Sequence, residues 1–153
     1  MEPITKARAH EFLEAALVAH IGVVVEGEPY VTPMSFIIHE GRILFRTKPG
    51  RRLEGIKTNP VVSIETSTFD ETSGDWTSVI VKGNATIEED DVVIQATLTE
   101  LYDKYREILG TPLGRGGIQP IASFPNVVTV EILEISGMSS SGPFSMRTRP
   151  GRL

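Results

Sequence analysis

The sequence predicts a small, closed or nearly closed antiparallel β-barrel with helices on its outside. Six stretches of strand length are apolar or alternate between apolar and polar residues, tight turns close most of the intervals, and only three stretches carry helical periodicity. Closure also removes the unpaired edges that an open sheet would present.

The elements follow in order. Residues 5–17 read as a helix, with Ala9, Phe12, Leu13 and Ala16 on one stripe and Lys6, Arg8, Glu11 and Glu14 facing away. His10 and Glu14 lie one turn apart but lack a second histidine, so they read as a solvated face and not as metal ligands. Residues 20–25 and 30–38 form a hairpin around Glu26-Gly27-Glu28-Pro29, and Pro33 places the second strand at an edge or a bulge. His39-Glu40-Gly41 turns the chain into a third strand, 42–47, completing an antiparallel meander. A short helix opens at Arg51 and stops at Thr58-Asn59-Pro60. Residues 61–66 alternate as a fourth strand, 67–75 read as a loop, and 76–88 give a long strand with Val79, Val81, Gly83 and Ala85 on one face. A glycine inside such a strand marks a bend or a close approach. Asp90 caps a helix running to about Leu109, and 127–135 form the last strand. Between them lies a Gly- and Pro-rich connection whose Gly114-Arg115-Gly116-Gly117 is no dinucleotide fingerprint, because it neither follows a strand nor opens a helix.

Composition narrows the function. With 153 residues, 40% of them hydrophobic, the chain builds one core: a domain over 1–136 and a tail, 137–153, carrying Arg147, Arg149 and Arg152. A net charge of -5 excludes nucleic acid as the main partner. The absence of cysteine excludes disulfides and thiolate chemistry and fits a reducing compartment. No apolar run follows a basic cluster in Met1–Lys6, and nowhere do about 18 apolar residues follow one another, so a soluble, cytoplasmic protein with no membrane partner is expected.

The candidate site is the stretch from Arg42 to Pro60. Its strand ends at Arg46-Thr47, turns through Lys48-Pro49-Gly50 and enters a helix at Arg51-Arg52. The first amides of a helix lack internal partners and the axial dipole is positive there, so guanidinium groups at that place make a site for a dianion such as a phosphate monoester. Arginine suits it because its planar fork grips two oxygens at once. The strand before it, through Pro33, Met34 and Phe36, is expected to offer an apolar wall.

In their order and spacing, Gly22, Pro29-Tyr30-Val31-x-Pro33-Met34, Phe45-x-Thr47-Lys48-Pro49-Gly50-Arg51-Arg52, Asn59-Pro60 and Trp76-x-Ser78-Val79-x-Val81-x-Gly83-x-Ala85 stand out. This set resembles the pyridoxamine 5′-phosphate oxidase-like flavoproteins, the FMN-binding split barrels. The resemblance implies a six-stranded antiparallel split β-barrel that forms a homodimer with FMN in clefts between the subunits. It assigns Arg51 and Arg52 to the FMN phosphate and Arg46 and Thr47 to the strand end beside it. Val31, Thr32, Pro33, Met34, Ser35 and Phe36 become the strand whose backbone runs along the isoalloxazine ring, and Trp76 and Ser78 reach the cofactor, often from the partner. The chain ends without the histidine-bearing substrate segment of true pyridoxamine phosphate oxidases, so it resembles the general-stress and nitroimidazole-resistance-like branch instead. The expectation is an FMN-dependent oxidoreductase acting on an unassigned small molecule, with no catalytic residue assigned. The branch also implies alternatives: a deazaflavin-dependent reductase, a haem-binding protein with His20 or His39 as ligand, or a flavin-binding dimer without turnover. The arginine-rich tail is either a solvated end or, by analogy, a cover for the partner's cofactor cleft.

Overall fold

In the computed structural model, which describes residues 1–109 and 126–141, the elements run β1 (Glu2–Pro3), α1 (Lys6–Ala15), β2 (Ala19–Val25), β3 (Glu28–Met34), β4 (Ile37–His39), β5 (Arg42–Thr47), α2 (Arg51–Thr58), β6 (Val61–Phe69), β7 (Trp76–Ile87), α3 (Asp91–Leu109) and β8 (Asn126–Ser140). Thr5 caps α1 by accepting from the Arg8 amide at 3.2 Å, and Asp90 caps α3 by accepting from the Val92 amide at 2.8 Å.

One antiparallel sheet carries the order β3-β2-β6-β7-β8-β5-β4, with β1 added on β8. Its two end strands, β3 and β4, are consecutive in the chain and separated only by Ser35 and Phe36. Three peptide steps of 3.8 Å hold Met34 and Ile37 within about 11 Å of each other, so the sheet must curl until its edges nearly meet. The result is a barrel that is closed except for a split beside β3.

This topology corrects the simple meander. The expected strand 30–38 is two strands, β3 paired with β2 and β4 paired with β5, because the chain leaves one sheet edge and joins the other at Ser35–Phe36. That division and the short β1 account for eight strands where six were expected. Pro33 does lie on an edge strand, where a missing amide costs least.

Alternation fills the core. Ala19, Ile21, Val23 and Val25 of β2 meet Val62, Ile64, Val79 and Val81 from β6 and β7, while Ala9 and Leu13 of α1 and Leu53 and Ile56 of α2 close over them. At Gly83 both expected roles are met: the register shifts between Lys82 and Gly83, and an added Cβ would run into Val130 Cγ1. Two boundaries move. The 67–75 loop shrinks to a turn after Phe69, with Asp70 Oδ1 accepting from the amides of Thr72 and Ser73. The last strand continues past Ile135 to Ser140, because the serine-rich run keeps pairing with β7 from Ile80↔Ser136 to Trp76↔Ser140 although it has no apolar period. The connection 110–125 and the tail arginines lie outside the described residues. Among the described residues no helix is long and apolar enough to cross a membrane.

Candidate functional site

The site forms where β5 stops. Thr47 ends the strand, Lys48-Pro49-Gly50 turns the chain, and α2 starts at Arg51 with Gly50 as its N-cap. Glycine has no side chain to offer, so no side-chain cap serves the first amides of α2. Gly55 decides how close the helix comes to the barrel: a Cβ there would stand 2.9 Å from Val24 O and 3.0 Å from Val23 Cγ2 and Val25 Cγ2.

A cleft of about 320 Å³ opens at this junction, lined by Tyr30 and Thr32 of β3, by Arg46 and Thr47 of β5, and by Lys48 to Arg52. Its walls belong to the two sides of the split, since β3 and β5 share no ladder. Arg52 spans the gap. Its Nε donates to Thr47 Oγ1 at 3.2 Å, its Nη1 donates to Pro33 O at 3.4 Å, and its guanidinium lies 5.6 Å from the centre of the Phe45 ring. Burial lowers the pKa of Arg52, with Tyr30 acting in the opposite sense, and burial alone lowers that of Arg46. Both stay cationic, because arginine titrates far above neutrality. Their partial desolvation strengthens their attraction for an anion.

Thr32 supplies a second mark of a binding site. Its Oγ1 is buried, lines the cleft's strand and has no hydrogen-bond partner. A buried hydroxyl left in that state costs about 1–3 kcal/mol, which a polar ligand group would relieve. Guanidinium donors, an uncapped helix start and a lone hydroxyl together fit an anionic ligand that also carries hydroxyl groups.

The structure divides the expected residues. Thr32, Arg46, Thr47, Arg51 and Arg52 line the cleft, and Pro33 contributes its carbonyl to Arg52. Arg51 and Arg52 separate: Arg52 is half-buried in the split, whereas Arg51 is exposed with its guanidinium 5.3 Å from the centre of the Tyr30 ring. Met34 and Phe36 do not form the expected apolar wall, since both side chains are buried in the core, where strand alternation and the turn into β4 send them. Ser35 is exposed at the break, and Val31 is 62% exposed on the outer face. Trp76 and Ser78 do not line the cleft of their own chain. Ser78 Oγ donates to Glu65 Oε1 at 3.2 Å, and Glu65 Oε2 lies 3.6 Å from His20 Nδ1. His39 Nδ1 is 3.4 Å from Glu100 Oε1. Among the described residues no three His, Cys, Asp or Glu side chains gather to hold a metal ion.

Two residues of α3 also shape the site, and sequence spacing gave no hint of them. Lys104 Nζ donates to Phe36 O at 2.9 Å and to Ala16 O at 3.1 Å, while Tyr105 Oη accepts from the Phe36 amide at 3.1 Å and donates to Leu17 O. They satisfy the backbone that the β3–β4 break leaves without ladder partners. Thus 33–36 is held by Arg52 at one end and by Lys104 and Tyr105 at the other. Lys48 stood in the expected turn of the site, whereas Tyr30 stood inside the motif with nothing local to mark it as a cleft residue.

An antiparallel barrel split beside an edge strand, with a basic cleft in the split, defines a split-barrel protein. The chain belongs to the pyridoxamine 5′-phosphate oxidase family, which it matches over residues 5–138. Solved structures of the same fold include an FAD-binding protein from Mesorhizobium loti, at 19% identity and TM-score 0.70, covering 90% of this chain and 95% of that one. A candidate 5-nitroimidazole antibiotic resistance protein from Bacteroides thetaiotaomicron has 21% identity and TM-score 0.72, covering 92% and 87%. An FAD and haem binding protein from Mycobacterium smegmatis has 14% identity and TM-score 0.64, covering 89% and 71%. No curated protein matches the chain in sequence.

Proposed function

We propose that the protein is a flavin-dependent oxidoreductase that works as a homodimer on a small organic molecule, with FMN as the smallest cofactor meeting the site's needs. The observation that carries this reading is the convergence of Arg46, Thr47, Arg52 and the uncapped start of α2 on the same cleft as the lone Thr32 hydroxyl. A bound flavin supplies hydride and electron transfer, and the protein's part is to place and tune it.

The chain's own residues perform that part. Arg52 has five N–H donors; Thr47 and Pro33 take two, which fixes the guanidinium plane and leaves three for phosphate oxygens. Because the plane is set before a ligand arrives, little side-chain entropy is lost on binding. Arg46 adds charge, and the Thr32 hydroxyl bonds the polyol chain. The relatives described as FAD-binding support the flavin reading.

A cleft of about 320 Å³ lies at the low end for small-molecule sites, so the flat ring needs a second wall. The outer face of β3, β2, β6 and β7 exposes Val31 at 62%, Phe69 at 55% and Ile80 at 51%, apolar area suited to a second copy. In that dimer the partner supplies Trp76 and Ser78 to the cofactor.

Purified protein is expected to retain flavin, and Arg52→Ala to bind it about ten- to a hundredfold more weakly, as loss of charge-assisted hydrogen bonds implies. A folded protein that takes up no flavin contradicts the proposal, and a Soret band in place of flavin bands would replace it with the haem reading.

A further inference from the structure

A second cavity, of about 340 Å³, lies where the first half of α3 covers β4, β5 and β8, and it shares no lining residue with the cleft beside β3. Its floor is apolar. Ile37 of β4 and Leu44 of β5 are buried there in a small core with Leu101, and Val93 of α3 packs against them. Ala96 continues that lining, and Val92, 77% exposed, stands at the mouth.

The rim is acidic, with the carboxylates of Glu40, Glu88, Asp90 and Glu100 set against the single guanidinium of Arg42. Arg42 pairs with Glu40 at 3.1 Å, and His39 Nδ1 lies 3.4 Å from Glu100 Oε1. The other two carboxylates are each engaged through one oxygen only. Glu88 Oε1 accepts from Thr129 Oγ1 at 2.6 Å, and Asp90 Oδ1 accepts from the Val92 amide at 2.8 Å; their second oxygens have no partner among the described residues. Glu88 is half-buried and Thr129 is buried, so this bond fixes a carboxylate at the edge of the apolar floor. The start of α3 adds about half a positive charge, which four carboxylates outweigh. A neighbouring hollow shares Glu88 and Thr129 with the cavity and adds Asn84, Thr86 and Glu131. A cation at Glu88 therefore keeps water on one side, which limits the cost of desolvating it.

An apolar concavity with a few converging polar groups is the common form of a small-molecule site, and here those groups are anionic. We propose that this cavity binds a small organic cation, a primary ammonium on an apolar body about the size of a phenyl ring. Glu88 and Asp90 hold the ammonium, and Ile37, Leu44, Val93 and Ala96 bed the body. The site does not depend on the flavin reading.

The test is an amide NMR titration of the full chain with three probes that share a phenyl body and differ in their head group: 2-phenylethylammonium, 2-phenylethanol and phenylacetate. Wild type is expected to bind the ammonium about tenfold or more tightly than the alcohol, the scale of one hydrogen bond to a charged group, and to show no saturable binding of the carboxylate. The shifts should centre on His39, Val93, Thr97 and Thr129. Glu88→Gln, which keeps an acceptor for Thr129 and removes the charge, should bring the ammonium close to the alcohol. Ala96→Leu, which fills the floor from an exposed helix position, should weaken both, and Glu88→Gln reports even if Ala96→Leu fails to fold. Equal binding of the three probes, shifts centred on the cleft beside β3, or an ammonium affinity untouched by Glu88→Gln overturns the proposal, as does a wild type that binds no probe; each leaves the flavin reading standing.

Discussion

Arg52 is a structural tie and, in the proposed flavin reading, the leading ligand donor, and its neighbours determine how far each role can be separated. Arg52→Lys keeps the charge but cannot reach Thr47 Oγ1 and Pro33 O from one planar group. It should therefore recover only part of the flavin affinity that Arg52→Ala loses, which titration of the two variants would reveal. Lys104 offers a separate test at this scale. Its ammonium donates to Ala16 O and Phe36 O and sits 4.5 Å from the centre of the Phe36 ring, and burial lowers its pKa. A lysine with a depressed folded pKa burdens the folded state while it is charged. The unfolded chain then binds more protons between the shifted value and the ordinary lysine value of about 10.4, so this group's contribution to stability rises with pH across that window. The stability of wild type relative to Lys104→Met should accordingly increase from pH 8 to pH 10 in urea melts. A difference that stays flat or falls would contradict the assignment.

At the scale of elements, α2 matters through its seat on the barrel. Gly55→Ala places a methyl against Val24 O and the Val23 and Val25 side chains, which should cost about 1–3 kcal/mol as overpacking. The displaced helix start should also bind flavin more weakly, and denaturation with flavin titration would show the two losses together. What could be read from the sequence divides along the same line. The cap at Asp90 was legible because it serves an amide two residues away. The edge position of Pro33 and the double role of Gly83 were legible because each residue restricts its own backbone. The β3–β4 break was not, since it arises from closure of the whole sheet. Nor was the separation of Arg51 from Arg52: adjacent helix residues point about 100° apart, and which one enters the split depends on how α2 docks. Lys104 and Phe36 are 68 residues apart, beyond any local pattern.

For the whole molecule, the proposed flavin site and the second copy depend on each other. The outer face that exposes Val31 and Ile80 also carries Ser78, Glu65 and His20. Ile80→Asp, a charge placed on that face, should shift the protein toward monomer in light scattering and weaken flavin retention, although Ile80 lies outside the cleft. A variant that is monomeric yet holds flavin as wild type does would separate cofactor binding from assembly and contradict that dependence. The measurement that tests the central claim most directly is the visible absorption spectrum of the purified protein after incubation with flavin and desalting. Stoichiometric flavin absorption is expected in wild type, and its loss in Arg52→Ala, with both proteins folded. A folded wild type that emerges colourless, or an Arg52→Ala variant as yellow as wild type, would contradict it.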